Sequence, residues 1–141
     1  MPRLVHVPEA ASLALHSMAV LAGRPRDIIP AREIAEALRA SEAHLAKVLR
    51  RLEISGFVKS TRGPKGGHVL AVDPAKITLK QIYEAVEGPI SPARCLLETP
   101  ICAGDKCVFG KMLENLDRQL RKHLAETTLS QIALAKEVRH A

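Results

Sequence analysis

Two short helical segments, a tight turn between them and a basic, glycine-rich hairpin behind them constrain this chain more than any other feature. The segment AREIAEALRA (31–40) places Ile34 and Leu38 at i, i+4. Ser41 then stands as the N-cap of EAHLAKVLRRLEIS (42–55). Within it Leu45, Val48, Leu49 and Leu52 recur at i, i+3, i+4, i+7, the spacing of one buried helix face. Gly56 follows where a left-handed residue ends a helix. FVKSTRG is a β-type run, PKGG is a turn, and HVLAVD is a second β-type run.

Helix, turn, helix and then a hairpin is the order of a winged helix-turn-helix. With the leucine stripe turned inward, Ala43, Lys47 and Arg50 face outward, flanked by His44 and Arg51. A cationic face with a small residue near its N-terminal end fits a DNA major groove. The hairpin tip carries Arg62 and Lys65 between Gly63, Gly66 and Gly67, so its backbone can approach phosphates or a minor groove. Each half of this pattern also occurs on ordinary solvated surfaces; the order of the elements favours DNA. Charge agrees. Residues 24–68 hold ten Lys/Arg against five Asp/Glu, whereas residues 69–141 hold ten against nine. The candidate DNA contacts are therefore Ser41, Ala43, His44, Lys47, Arg50, Arg51, Arg62, Gly63, Lys65, Gly66 and Gly67.

Flanking segments complete the expected fold. VPEAASLALHSMAVLA (7–22) reads as a first helix with Pro8 and Glu9 at its start. TLKQIYEAVEG (78–88) opens on a Thr78/Gln81 capping box and closes on Gly88. VFGKMLENLDRQLRKHLAET (108–127) carries Leu113, Leu116, Leu120 and Leu124 in a narrow seam, which calls for another helix, from helix one or from a second chain. Thr128 caps a last helix, LSQIALAKEV. Aromatics make up 2% of the residues, so small aliphatics must build the core, which favours packed helices. The fold expected is mainly α with a small β-hairpin: a winged helix-turn-helix over 1–88, a cysteine loop over 89–107, and a long dimerisation helix with a C-terminal helix over 108–141.

All three cysteines lie in CLLETPICAGDKC, with spacing Cys95-x6-Cys102-x4-Cys107. No long apolar run or signal peptide is evident, so a cytoplasmic chain with reduced thiols is expected. Three thiolates can hold an iron–sulfur cluster or zinc with a fourth donor. Two could form a disulfide switch, or all three could be unliganded. The tight Cys pairs usual for structural zinc are missing. No phosphate loop, nucleophile elbow or paired carboxylates point to an enzyme or to a small-molecule substrate.

These motifs together resemble the IscR/NsrR-type iron–sulfur and redox-sensing regulators of the Rrf-two family. RGPKGGHVL is similar to that family's wing signature, GDKC to its third-cysteine loop, and TLSQIA to the segment after its long helix. The resemblance implies a homodimer on double-stranded operator DNA, with long helices crossing between protomers. It also implies a 2Fe-2S or 4Fe-4S cluster on Cys95, Cys102 and Cys107 whose state tunes DNA affinity. Gly110 stands where IscR-type members carry a histidine ligand, and Ala46 where they carry a discriminating glutamate. Other members draw an acidic ligand from helix one of the partner protomer, a position matched by Glu9; His6, His16 and His123 are rival donors. A zinc- or thiol-responsive repressor without a cluster, or a partner-regulated repressor of cysteine metabolism, is the alternative.

Overall fold

A computed structural model describes residues 3–102 and 106–134. Its elements are α1 (Glu9–Gly23), α2 (Ala31–Leu38), α3 (Glu42–Ile54), β1 (Val58–Thr61), β2 (Gly67–Leu70), α4 (Leu79–Glu87), α5 (Met112–Glu126) and α6 (Leu129–Ile132). This is the expected mainly helical chain with one antiparallel hairpin.

The core forms around α1. Ala11, Ala14 and Ala19 let neighbouring helices approach closely, while Leu13, Met18 and Leu21 fill the gaps between them. The helix packs on α3, α4 and α6. Ile34 of α2, Leu45, Leu49 and Leu52 of α3, and Ile82 of α4 meet it with no exposed surface. Each such side chain contributes about 1.5–3 kcal/mol on burial.

Local chemistry sets the boundaries. Ser41 Oγ accepts the His44 N–H at 3.4 Å and starts α3 as expected. At the other end Gly56 has φ 80°. The Phe57 N–H reaches the Leu52 carbonyl at 3.0 Å and the Gly56 N–H reaches Glu53 at 2.9 Å, the paired bonds of a Schellman stop. The end of α2 uses the same device without glycine. Arg39 has φ 52°, and Ala40 and Arg39 donate to the Ala35 and Glu36 carbonyls at 2.9 and 3.2 Å.

The hairpin pairs Val58 with Leu70, Lys59 with Val69, Ser60 with His68 and Thr61 with Gly67. A reciprocal backbone pair joins His68 to Ile29 at 2.8 Å in both directions, which pins β2 to the loop before α2. This explains Gly67: a Cβ there would stand 2.5 Å from the Ile29 carbonyl.

Two similar pentapeptides, TLKQI (78–82) and TLSQI (128–132), start α4 and α6. Thr78 and Thr128 each donate a backbone N–H to the glutamine three residues on, at 2.9 and 2.8 Å. The two starts also bind each other. Leu79 donates to Thr127 at 3.0 Å and Leu129 to Ile77 at 2.9 Å. Helix α5 begins at Met112, four residues later than its sequence pattern suggests, because residues 108–111 form a turn through Gly110 (φ 57°). Its seam packs within the chain against α4. Leu124 is buried, but Leu116 and Leu120 remain about half exposed, at 51% and 50%. The expected last helix forms over Leu129–Ile132 and is shorter than expected, because Ala133 (ψ 128°) leaves the helical region; residues 135–138 of the expected span lie outside the described residues.

Candidate nucleic-acid interface and cysteine loop

Helix α3 presents the expected face. Ala43, Lys47 and Arg50 are exposed, whereas Leu45, Val48, Leu49 and Leu52 are buried behind them. Ser41 is exposed at the helix start. Its neighbours are more engaged. His44 Nδ1 lies 3.4 Å from the Glu9 carboxylate on α1. Arg51 donates through Nη1 to the Val86 carbonyl near the end of α4. Arg51 thus supports a helix terminus, where unsatisfied carbonyls favour a cation. Arg50 contacts Glu53 at 3.3 Å. Glu53 and Ser60 form a further bond, at 2.8 Å, that joins α3 to the hairpin. Helical spacing gives no signal for this Ser60 contact.

The hairpin tip stands free. Arg62, Gly63, Pro64 and Lys65 are exposed. The glycines differ in purpose. Gly63 has φ 105° with open space around it, so it serves the turn itself. Gly66 would place a Cβ 2.1 Å from the Thr61 carbonyl, and Gly67 meets Ile29. Gly66 is required by hairpin closure and Gly67 by the loop at Ile29, whether or not DNA is present.

Ion pairs sharpen the charge picture. Arg24 holds Asp27 and Glu33 at 3.0 and 2.6 Å, and Arg32 holds Glu36 at 3.2 Å. Four of the five carboxylates of residues 24–68 are therefore engaged, counting Glu53. Lys47, Lys59, Arg62 and Lys65, like Arg26 and Arg39, make no carboxylate contact among the described residues, so four of these six cations lie on the recognition helix and wing. His68, one residue pair below the wing tip, is half-buried, and its Nδ1 is buried without a hydrogen-bond partner among the described residues. Burial lowers its pKa from the ordinary 6.5, an effect that the nearby Glu53 opposes.

The cysteine loop is of another kind. Cys95 and Cys107 are half-buried, Cys102 is exposed, and all three are free thiols. Cys95 Sγ accepts the Leu97 N–H at 3.4 Å, and the Cys107 carbonyl accepts the Gly110 N–H at 3.0 Å. Residues 103–105, including the first two positions of the GDKC motif, lie outside the described residues. No group of three or more His, Cys, Asp or Glu is gathered for a metal among the described residues. The donor set is nonetheless suited in kind to an iron–sulfur cluster: three unpaired thiols on one loop. Glu9, with a side chain 74% exposed, lies with His6 on an open cleft of ≈ 480 Å³ bounded also by Arg3, Val5, Val7 and Ser12. His16 turns back on its own helix, with Nδ1 2.7 Å from the Ser12 carbonyl, and His123 lies on α5 beside Thr127. No helix among the described residues is long and apolar enough to cross a membrane.

A helix-turn-helix followed by a basic wing, with a long C-terminal helix behind it, defines the winged-helix class of transcriptional regulators. The chain belongs to the Rrf2 family, the Rrf-two family of the sequence motifs: the model of iron-dependent transcriptional regulators matches residues 8–135. It is 30% identical over 110 residues to the HTH-type transcriptional regulator IscR of Escherichia coli, covering 78% of this chain and 68% of IscR. IscR of Klebsiella pneumoniae is 29% identical over the same shares. Among solved structures, CymR (YrzC), the global cysteine regulator of B. subtilis, matches at a TM-score of 0.73 and 28% identity, covering 92% of this chain and 97% of CymR. T. potens IscR matches at 0.70 and 25%, covering 98% and 93%.

Proposed function

We propose that this chain is a homodimeric, DNA-binding transcriptional regulator whose operator affinity depends on an iron–sulfur cluster. The observation that carries the reading is the exposed Ala43/Lys47/Arg50 face of α3, joined to a wing whose Arg62 and Lys65 stand free. In this reading α3 enters a major groove. Arg62 and Lys65 reach the backbone or a minor groove, and phosphate contacts make binding steeply salt-dependent.

Cys95, Cys102 and Cys107 would hold the cluster, with Glu9 of the partner subunit as fourth donor. When bound, such a cluster supplies a centre whose charge and ligand bonds change with redox state or nitric oxide. The chain's own residues would couple that centre to DNA. Glu9 touches His44 at the start of α3 in this structure. A ligand bond through the same carboxylate would bear on its contact with His44, so cluster binding would bias the recognition helix. Leu116 and Leu120, left half-exposed on α5, would face a second copy.

The similarity to CymR supports a second reading, in which the same thiols act without a cluster in a repressor of cysteine metabolism. Anaerobic purification followed by iron, sulfide and zinc analysis and a visible spectrum separates the two. A brown protein with stoichiometric iron and sulfide, lost in Cys102→Ala, is expected. A colourless protein after cluster reconstitution selects the second reading.

A further inference from the structure

One carboxylate joins the two elements proposed to read DNA. Glu53 sits in the last turn of α3 with its side chain 30% exposed. Its two oxygens have different partners. Ser60 Oγ on β1 donates to Oε1 at 2.8 Å, and Arg50 Nη1 donates to Oε2 at 3.3 Å. The Ser60 bond is the chief reason the Glu53 carboxyl is held below the usual carboxylate range, with partial loss of water opposing it and Arg50 adding to it.

The Arg50 contact alone would signify little, because an exposed i, i+3 pair is usually near-neutral. The Ser60 contact changes the case. A two-stranded hairpin is marginal by itself, and here each strand has four residues. Ser60 faces His68 across the hairpin, and His68 is pinned through its backbone to Ile29. The wing is therefore held at one level from both sides, by a backbone pair on β2 and by Glu53 on β1.

We propose that Glu53 is a positioning residue for DNA reading, setting the wing against the recognition helix while holding Arg50 beside it. This rests on the reading that the wing tip touches DNA. Groove contacts by α3 and by the wing must be made together, so their relative placement decides whether Arg62 and Lys65 add to affinity. Releasing Ser60 leaves both elements folded but costs the wing its fixed reach.

A duplex selected by the wild-type chain from random DNA serves as the probe, with affinity read by fluorescence anisotropy across a salt series. Ser60→Ala should weaken binding about five-fold and lower the salt slope by about one, as loss of a phosphate contact would. Ser60→Thr, which keeps the hydroxyl, should restore both. In an Arg62→Ala/Lys65→Ala background, Ser60→Ala should add nothing, because the two changes act through one contact. Unchanged circular dichroism and thermal midpoint in Ser60→Ala would separate positioning from folding. Full wild-type affinity in Ser60→Ala, or an equal loss with and without the tip cations, overturns the role of Glu53. Wild-type affinity in the Arg62→Ala/Lys65→Ala chain instead removes the wing from DNA, and the proposal falls together with the reading beneath it.

Discussion

The winged-helix half and the cysteine-bearing half solve opposite problems. Through Gly88 the chain buries Leu13, Leu21, Leu45, Leu49, Leu52 and Leu79, closes its helices with caps and pins its hairpin at two points. Beyond Gly88 it exposes Leu96, Ile101, Val108, Met112, Leu116 and Leu120, and Leu124 is the buried residue of α5. An apolar surface of that extent is one that a second chain would cover. The first half closes its core within one chain; in the proposed dimer a partner would complete the second.

That contrast can be broken or sharpened by measurement. The largest effect is expected from Leu120→Glu, which would place an unpaired charge in the interface at a cost of about 3–5 kcal/mol of association. Analytical ultracentrifugation should show monomer with native circular dichroism; a stable dimer would place the interface elsewhere. Leu49→Ala comes next, at about 2–5 kcal/mol of folding stability. Combined with Leu120→Glu it should lower the melting midpoint of the monomer as much as that of the dimer. A smaller shift in the monomer would mean that the first half also leans on its partner. Arg39→Gly should stabilise the chain by about 1 kcal/mol, because glycine adopts φ 52° without the Cβ conflict. Chemical denaturation would detect it, and a lower midpoint would show that Arg39 has contacts worth more than the strain.

The smallest effect concerns His68. Burial lowers its pKa, so below 6.5 the unfolded chain takes up a proton that the folded chain resists. Stability should therefore fall as pH drops from 6.5 toward the lowered folded value, with no contribution at higher pH. The His68→Gln variant should lose this part of the pH profile. A variant with the wild-type slope would assign that slope to other groups.

Much of the first half was legible because its signals are local. Ser41, Gly56, the Thr78/Gln81 box and the Leu45–Leu52 stripe each act within a few residues of themselves. What escaped is long in sequence separation or lacks the usual residue. Arg51 meets a carbonyl thirty-five positions away. Ile29 pairs with His68 across two helices. Arg39 fills a left-handed position where glycine would have announced the stop. Likewise TLSQI gave notice of a cap but not of its bond to TLKQI. In the second half the cysteine spacing left a cluster, zinc, a disulfide switch and unliganded thiols all open. The place of Glu9, beside His44 of its own chain, could be found only in three dimensions.

Helix α4 behaves as a connecting rod. At one end its first amide is bolted to Thr127, where α5 stops; at the other, the Val86 carbonyl takes Arg51 from the recognition helix. Between Leu79 and Glu87 there is neither glycine nor proline, so the shaft has no joint. The joint comes after the second bolt, at Gly88, where φ is 85°. A push on α5 would thus travel to the reading head, while the same push on the loop that begins at Pro89 would be absorbed as rotation.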